Sequence, residues 1–196
     1  HRAARVSAGP DRPLVLYQGG FSVDRGIEEL VAALETPALA GTDVVAVFIG
    51  YGRLRTWLDE QAARLPGRIA VVDAIPPGDL QEYTVDADVG FVGQPPRTLN
   101  QRLNLANKLF EYLQAGVPVI VAEGTAHCRL VRQLEVGHCV EVDDPSTIAR
   151  AVVELIGAAP DERERLRLHA RTVALEQYTW EVQGVNVIEL YRGLGR

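Results

Sequence analysis

Short apolar runs alternate with segments of helical periodicity along the whole chain. The runs end at glycines or turn residues, whereas the segments between them repeat apolar residues three and four positions apart, as on one face of a helix. The runs predict six strands, at residues 14–18, 44–49, 69–72, 89–92, 117–122 and 138–142. The periodic segments predict helices at residues 26–39, 54–65, 77–85, 107–115, 126–134, 146–156 and 161–194, the last interrupted near Tyr178.

This alternation is typical of βαβ units with a parallel sheet covered on both faces. We therefore expect an α/β fold with a doubly wound, mostly parallel six-stranded sheet. Ligands of such sheets bind at the carboxyl ends of the strands, near the point where the strand order reverses. The segments expected at that edge are residues 19–20, 50–52, 74–76, 93–106 and 123–125. Residues 93–106 lack apolar periodicity and predict a long loop.

The length of 196 residues suits one domain of this class. Residues 1–12 are polar and are interpreted as the remnant of an interdomain linker, with residues 13–196 forming the domain. Because the chain begins with His1 and contains no methionine, we interpret it as an excised part of a longer protein.

Charge and hydropathy narrow the expected partners. The net charge of −6 argues against a general nucleic-acid surface. No apolar run approaches the roughly 20 residues that cross a bilayer. A cytoplasmic location is expected, with peripheral association of the parent protein at the inner face of the membrane left open.

Two cysteines, Cys128 and Cys139, form no CxxC motif and no disulfide framework, which fits a reducing compartment. Each follows a histidine, His127 and His138, so the four side chains could in principle hold zinc. Adjacent residues rarely ligate one ion, and Cys139 continues the apolar pattern of a strand. We therefore expect no metal site.

The start of the helix predicted at residues 107–115 carries the clearest chemistry. Its first-turn amide groups form an anion site. Lys108 opposes the helix dipole there unless an anion binds, and it is the only lysine among 20 basic residues. Glu111, in the same turn, offers carboxylate oxygens to a vicinal diol such as a ribose. Arg97 and Arg102 make the preceding loop basic.

The segment NKLFEYLQAGVPVI resembles the signature of the C-terminal domain of the family 4 (group 1) glycosyltransferases, which have the GT-B fold. Four further segments resemble the same family in the expected order: LYQGGFSVDRGIEELVAAL, FIGYGRLRTWLDE, IPPGDLQEYTVDADVGFV and YTWEVQGVNVIELYRGL. The resemblance covers about residues 14–194. It implies a Rossmann-like half of a bacterial GT-B glycosyltransferase.

The resemblance also implies roles for individual residues. Arg25 and Lys108 would stabilise the leaving-group diphosphate, which makes them the catalytic residues of this domain. The donor-binding set would be Gly19, Gly20, Phe21, Ile75, Pro76, Asn104, Leu105, Ala106, Asn107, Leu109 and Glu111, with the amides of residues 104–108 facing the diphosphate and Glu111 on the ribose. The chain departs from the family pattern at Leu103, where a first glutamate is usual, and at Gly20, where an arginine is usual.

The function so implied is the binding of a nucleoside-diphosphate sugar, UDP- or GDP-linked, for retaining hexosyl transfer without a metal ion or other cofactor. The acceptor (a saccharide, a lipid or a small molecule) would be held by an N-terminal domain that this chain lacks, so we expect the isolated domain to be inactive. Two alternatives stay open: a nucleotide-sugar epimerase-like enzyme of the same architecture, and a non-catalytic domain that has lost donor binding.

Overall fold

The computed structural model describes residues 12–194, apart from the side chains of residues 186 and 194. The predicted linker remnant therefore lies outside the described residues except for Arg12. The strands are β1 Leu14–Gly20, β2 Val45–Tyr51, β3 Ile69–Val72, β4 Val89–Val92, β5 Val119–Ala122 and β6 Gly137–Val140. They form one parallel sheet in the order β3-β2-β1-β4-β5-β6. The predicted doubly wound α/β fold is confirmed.

The helices connect the strands and cover both faces of the sheet. They are α1 Ile27–Ala33, α2 Pro37–Ala40, α3 Arg55–Arg64, α4 Pro77–Thr84, α5 Leu99–Leu103, α6 Asn107–Gln114, α7 Ala126–Leu134, α8 Pro145–Gly157, α9 Pro160–Gln177 and α10 Trp180–Leu194. Alternate residues of β1 enter different cores because side chains alternate along a strand. Val15 and Tyr17 pack on the face that α1 and α8 cover, and Leu14 and Leu16 pack on the face of α6, α7 and α9.

Two of the predicted element boundaries were wrong for local reasons. The helix predicted at residues 26–39 is two helices, because Thr36 is extended and Pro37 starts a new helix. The loop predicted at residues 93–106 contains α5, which starts with a capping box in which Thr98 and Gln101 exchange side-chain and backbone hydrogen bonds. The S/T-x-x-Q signal of that box is visible in the sequence.

The prediction that the cysteines stay unpaired was also wrong. A disulfide joins Cys128 on α7 to Cys139 on β6, with the two Cα atoms 5.4 Å apart. Their separation of 11 residues hides this proximity, because β6 returns directly beside the helix that precedes it. The cysteine pattern therefore gives no support for a reducing compartment. Within residues 12–194, no helix is long and apolar enough to cross a membrane.

Candidate functional site

The strand order reverses between β1 and β4, and the loops that follow these two strands meet at the carboxyl edge of the sheet. Gly26 has a φ of +75°, and a Cβ there would overlap the backbone of Gly93, so the two loops touch. Gly19 has a φ of +125°, and a Cβ there would lie 3.2 Å from Nζ of Lys108. Glycine at both positions therefore lets the β1 loop approach the start of α6.

Lys108 projects from the first turn of α6 onto this crevice. Its Nζ lies 3.8 Å from the centroid of the Tyr17 ring, a cation–π contact. The pKa of Lys108 is lowered to about 7, mainly by burial and also by the positive charge of Arg25, although Glu111 partly offsets both effects. Near neutral pH the side chain of Lys108 is therefore partly a neutral amine, which can take up a proton when an anion binds beside it.

Arg25 brings a second cation to the same crevice. Its Nη1 donates to Oε1 of Gln94 at 2.9 Å, and Gln94 is buried at the end of the β4 segment. The same oxygen accepts from Nδ2 of Asn104 at 3.4 Å. Among the described residues, neither Arg25 nor Lys108 forms an ion pair with a carboxylate. The crevice thus has an excess of positive charge on a protein whose net charge is negative.

Glu111 is held at the edge of the crevice by a side chain that the sequence analysis did not single out. Oε2 of Glu111 accepts from Nε2 of Gln18 at 2.5 Å, and Oε1 of Gln18 accepts from the Thr84 hydroxyl at 2.9 Å. Both Gln18 and Thr84 are buried. This relay fixes one carboxylate oxygen of Glu111 and leaves the other to a ligand. The signal available in the sequence for this contact was a glutamine at the end of an otherwise apolar strand.

The first turn of α6 has no side-chain cap from its N-cap residue, Ala106. The N–H groups of Asn107 and Lys108 have no acceptor within the helix, as in any first turn. In contrast, the N–H of Ala106 donates to Nε2 of His127 at 2.8 Å, and that of Asn104 donates to the Asn100 carbonyl at 2.9 Å. The prediction that the amides of residues 104–108 all face a ligand is corrected for these two.

Comparison with known proteins agrees with the geometry. The model of the family described as "Glycosyl transferases group 1" matches residues 12–158. This chain belongs to that family. The match is three-quarters of the chain in one continuous stretch, which contains both cations and Glu111. The family predicted from the sequence is therefore confirmed.

Several curated relatives of this glycosyl transferase domain are named as mannosyltransferases. Phosphatidyl-myo-inositol mannosyltransferase of Mycobacterium tuberculosis is 28% identical over 194 residues, which is 96% of this chain and 50% of that protein. The GDP-mannose-dependent alpha-(1-6)-phosphatidylinositol dimannoside mannosyltransferase of the same species is 28% identical over 92% of this chain and 45% of that protein. The chain thus spans about half the length of the curated relatives it matches.

Solved structures confirm the fold as the Rossmann-like half of a GT-B glycosyltransferase. Sucrose-phosphate synthase of Thermosynechococcus elongatus superposes with a TM-score of 0.79 at 24% identity, over 97% of this chain and 48% of that one. Anabaena HepE in complex with UDP and glucose superposes with a TM-score of 0.77 at 16% identity, over 93% and 49% of the two chains.

Two residues of the predicted donor-binding set lie in the core of the glycosyl transferase domain. The Phe21 side chain is fully buried, its N–H donates to the Tyr51 carbonyl at 2.7 Å, and its carbonyl accepts from Leu54 at 3.1 Å. Leu109 is also fully buried, and its N–H donates to the Ala106 carbonyl at 3.1 Å. The side chain and the amide of both residues are engaged within the protein, so their part in donor binding stays a prediction from the resemblance.

The remaining members of the set lie at the carboxyl edge of the sheet. Gly20 is exposed, with no atom within 4 Å of where a Cβ would stand. Leu105 is exposed before α6, and Ile75 and Pro76 follow β3, with Pro76 exposed as the N-cap residue of α4. Leu103, at the position of the usual first glutamate, is 58% exposed, so it fills no core space and leaves this end of α5 open to a ligand.

The two arginines of the basic loop have different environments. Arg97 forms ion pairs with Asp24 and with Asp143, the latter at 2.6 Å, so it ties the β4 loop to the segments that follow β1 and β6. Its charge is neutralised within the protein, so we interpret Arg97 as a structural residue that holds the loop in place. Arg102 is exposed on α5.

The residues weighed for zinc are engaged in other contacts. Cys128 and Cys139 are joined by the disulfide, and Nε2 of His127 accepts the Ala106 N–H. Nδ1 of His138 lies 3.9 Å from a Glu154 oxygen.

Proposed function

We propose that this domain binds the nucleoside-diphosphate sugar donor of a group 1 glycosyltransferase, with the diphosphate in the crevice between the β1 and β4 loops. The observation that carries the proposal is the convergence of Arg25, Lys108 and the first turn of α6, with no carboxylate paired to either cation among the described residues. A helix N-terminus and two cations form a strong anion site.

The proposed chemistry follows from where charge develops. Cleavage of the anomeric bond leaves negative charge on the β-phosphate oxygens of the departing nucleoside diphosphate. Arg25, Lys108 and the free amides of α6 would stabilise that charge in a preorganised way. Two protein cations can supply at the phosphate the charge that a divalent ion supplies in other enzymes, which supports the proposal of metal-independent transfer. Turnover by the parent protein, which would include the acceptor-binding domain, should be unchanged after chelation with EDTA.

Glu111 is proposed to bind the donor ribose. Its second oxygen is directed by the Gln18 relay, and a carboxylate accepts hydrogen bonds from both hydroxyls of a cis-diol. The open end of α5 at Leu103 is proposed to lie near the donor sugar. The turn at Ile75 and Pro76 is proposed to lie near the base.

The curated relatives favour a GDP-linked donor, since one of them is named as GDP-mannose-dependent. HepE was solved with UDP-glucose, so UDP-sugars are the second donor class to test. We propose that a hexose is transferred with retention of its anomeric configuration to an acceptor bound by a second domain. The relatives are about twice as long as this chain, which supports the second domain.

The test is calorimetric titration with GDP, UDP, ADP and their common sugar conjugates. We expect one nucleoside diphosphate to bind, and Glu111→Gln to weaken it by about 1–3 kcal/mol, as for a hydrogen bond to a charged group. Glu176→Gln, which removes an exposed carboxylate from α9, is the matched control and should bind normally. Equal affinity of the Glu111→Gln and Glu176→Gln variants would exclude Glu111 from the site.

Gly20→Ala should separate binding from stability. A Cβ at residue 20 meets nothing within 4 Å, so the free energy of unfolding should change by less than about 0.5 kcal/mol. The same methyl group would occupy the proposed path of the diphosphate, so affinity should fall about 10-fold. Gly41→Ala also enters open space, but outside the proposed site, and should leave affinity unchanged. Wild-type affinity of Gly20→Ala would move the diphosphate away from the β1 loop.

A further inference from the structure

His127 is a buried polar side chain that the proposed donor chemistry does not use. It is 1% exposed and lies in the first turn of α7, the helix after β5. Its backbone is held firmly, because the Thr125 hydroxyl caps the N–H of Cys128 at 3.2 Å and the disulfide ties Cys128 to β6. A residue fixed in this way presents its imidazole at a defined position behind the start of α6.

The protonation state of the imidazole follows from its partner. A backbone N–H can only donate, so Nε2 of His127, at 2.8 Å from the Ala106 nitrogen, must be the acceptor. The proton of the neutral ring then lies on Nδ1, which is buried with no hydrogen-bond partner among the described residues. Burial, followed by the nearby charge of Lys108, lowers the pKa of His127 to about 4, so the ring stays a neutral acceptor.

This arrangement would be costly as core packing alone. An unpartnered buried N–H at Nδ1 destabilises the fold, and an apolar side chain of similar size would avoid it. What an apolar side chain cannot do is accept the Ala106 N–H. The histidine therefore keeps an acceptor at the turn that immediately precedes Asn107 and Lys108.

We infer that His127 is a positioning residue for the nucleotide-sugar donor: by accepting the Ala106 N–H on Nε2, it turns that amide away from the crevice and sets the first turn of α6 so that the amides of Asn107 and Lys108, and the Lys108 ammonium, face the diphosphate. This inference rests on the proposed donor site. It assigns to α7, through one hydrogen bond, the orientation of the anion-binding turn.

The test compares His127→Leu, His127→Gln and Lys108→Ala by calorimetric titration of the protein with GDP and UDP. Leucine removes the acceptor, and affinity should fall about 10-fold. The carboxamide oxygen of glutamine reaches the position of Nε2, so His127→Gln should stay within about 3-fold of wild type. A purely structural role would change the unfolding temperature without this rescue. Hydrogen exchange should show that the Ala106 amide loses protection in the leucine variant alone.

The outcomes separate the inference from the function on which it rests. If Lys108→Ala binds as wild type does, the proposed donor site itself fails. If Lys108→Ala loses affinity while His127→Leu does not, the site stands and the role of His127 is overturned. Equal losses in the leucine and glutamine variants also overturn it. If the leucine variant does not fold, the unaltered protein decides: a scalar coupling across the hydrogen bond between the Ala106 nitrogen and Nε2 supports the inference, and an Nε2-protonated ring contradicts it.

Discussion

Lys108→Met should stabilise the isolated domain and abolish donor binding. The ammonium is buried over Tyr17 with no carboxylate paired to it among the described residues, and burial lowers its pKa from 10.5 to about 7. Methionine keeps the contact with the Tyr17 ring and removes the buried charge. We expect the free energy of unfolding at pH 7 to rise by about 1–3 kcal/mol. Loss of the charge at the diphosphate should weaken binding at least about 100-fold.

The gain in stability should depend on pH in a defined direction. Between pH 7 and 10.5 the unfolded chain keeps a proton on Lys108 that the folded chain releases. The contribution of Lys108 to the free energy of unfolding of the wild type therefore rises with pH across that window. The difference in the free energy of unfolding between Lys108→Met and the wild type should therefore be largest at pH 7 and should vanish near pH 10.5. Denaturant unfolding at several pH values measures this. Arg129→Met, which removes an exposed cation from α7, is the control. A destabilised Lys108→Met variant at pH 7 would contradict the account.

Donor binding should take up a proton above pH 7. In the free site Lys108 has a pKa of about 7, and a bound diphosphate would raise the pKa of this lysine because it favours the charged form. Affinity should then fall by up to about 10-fold per pH unit above 7, since protonation must accompany binding. A nucleotide sugar is the right ligand, because its diphosphate diester has no ionisation in this range.

Calorimetry in two buffers of different ionisation enthalpy measures the proton uptake. Lys108→Arg is the matched variant, because a guanidinium stays protonated throughout and should show no uptake. Burial lowers the pKa of His127 to about 4, outside this window, so His127 does not mask the result. Binding of the wild type with no proton uptake between pH 7 and 9 would mean that Lys108 does not face the diphosphate.

The sequence predicted the sheet well because parallel strands are buried on both faces and are therefore read as short apolar runs. All six strands lie where these runs placed them, with ends shifted by a few residues. The capping box of α5 was missed because its polar residues carry no apolar periodicity, although Thr98 and Gln101 have the right spacing. The disulfide was missed because no spacing rule reports which helix lies beside which strand.

The residues of the candidate site also differ in how directly the sequence indicates them. Arg25, Lys108 and Glu111 could be proposed from the sequence because charged groups at a strand end or a helix start have a direct chemical meaning, and the structure places them around one crevice. Phe21 and Leu109 were assigned to the donor by position alone, and both side chains pack in the core. Gln18 and His127 were not singled out for the donor site, because their hydrogen bonds to Glu111 and to the Ala106 N–H exist only in the folded chain.

The most direct test of the central claim is to locate the bound nucleotide by NMR, following the backbone amides of the protein during titration with GDP and UDP. We expect saturable shifts that are largest at Gly20, Asn107 and Lys108, at the carboxyl edge of the sheet. A cavity of about 340 Å³ lined by Asp86 and Arg163 lies at the opposite edge and offers the alternative location. Saturable shifts centred on that cavity, with the first turn of α6 unchanged, would contradict the account.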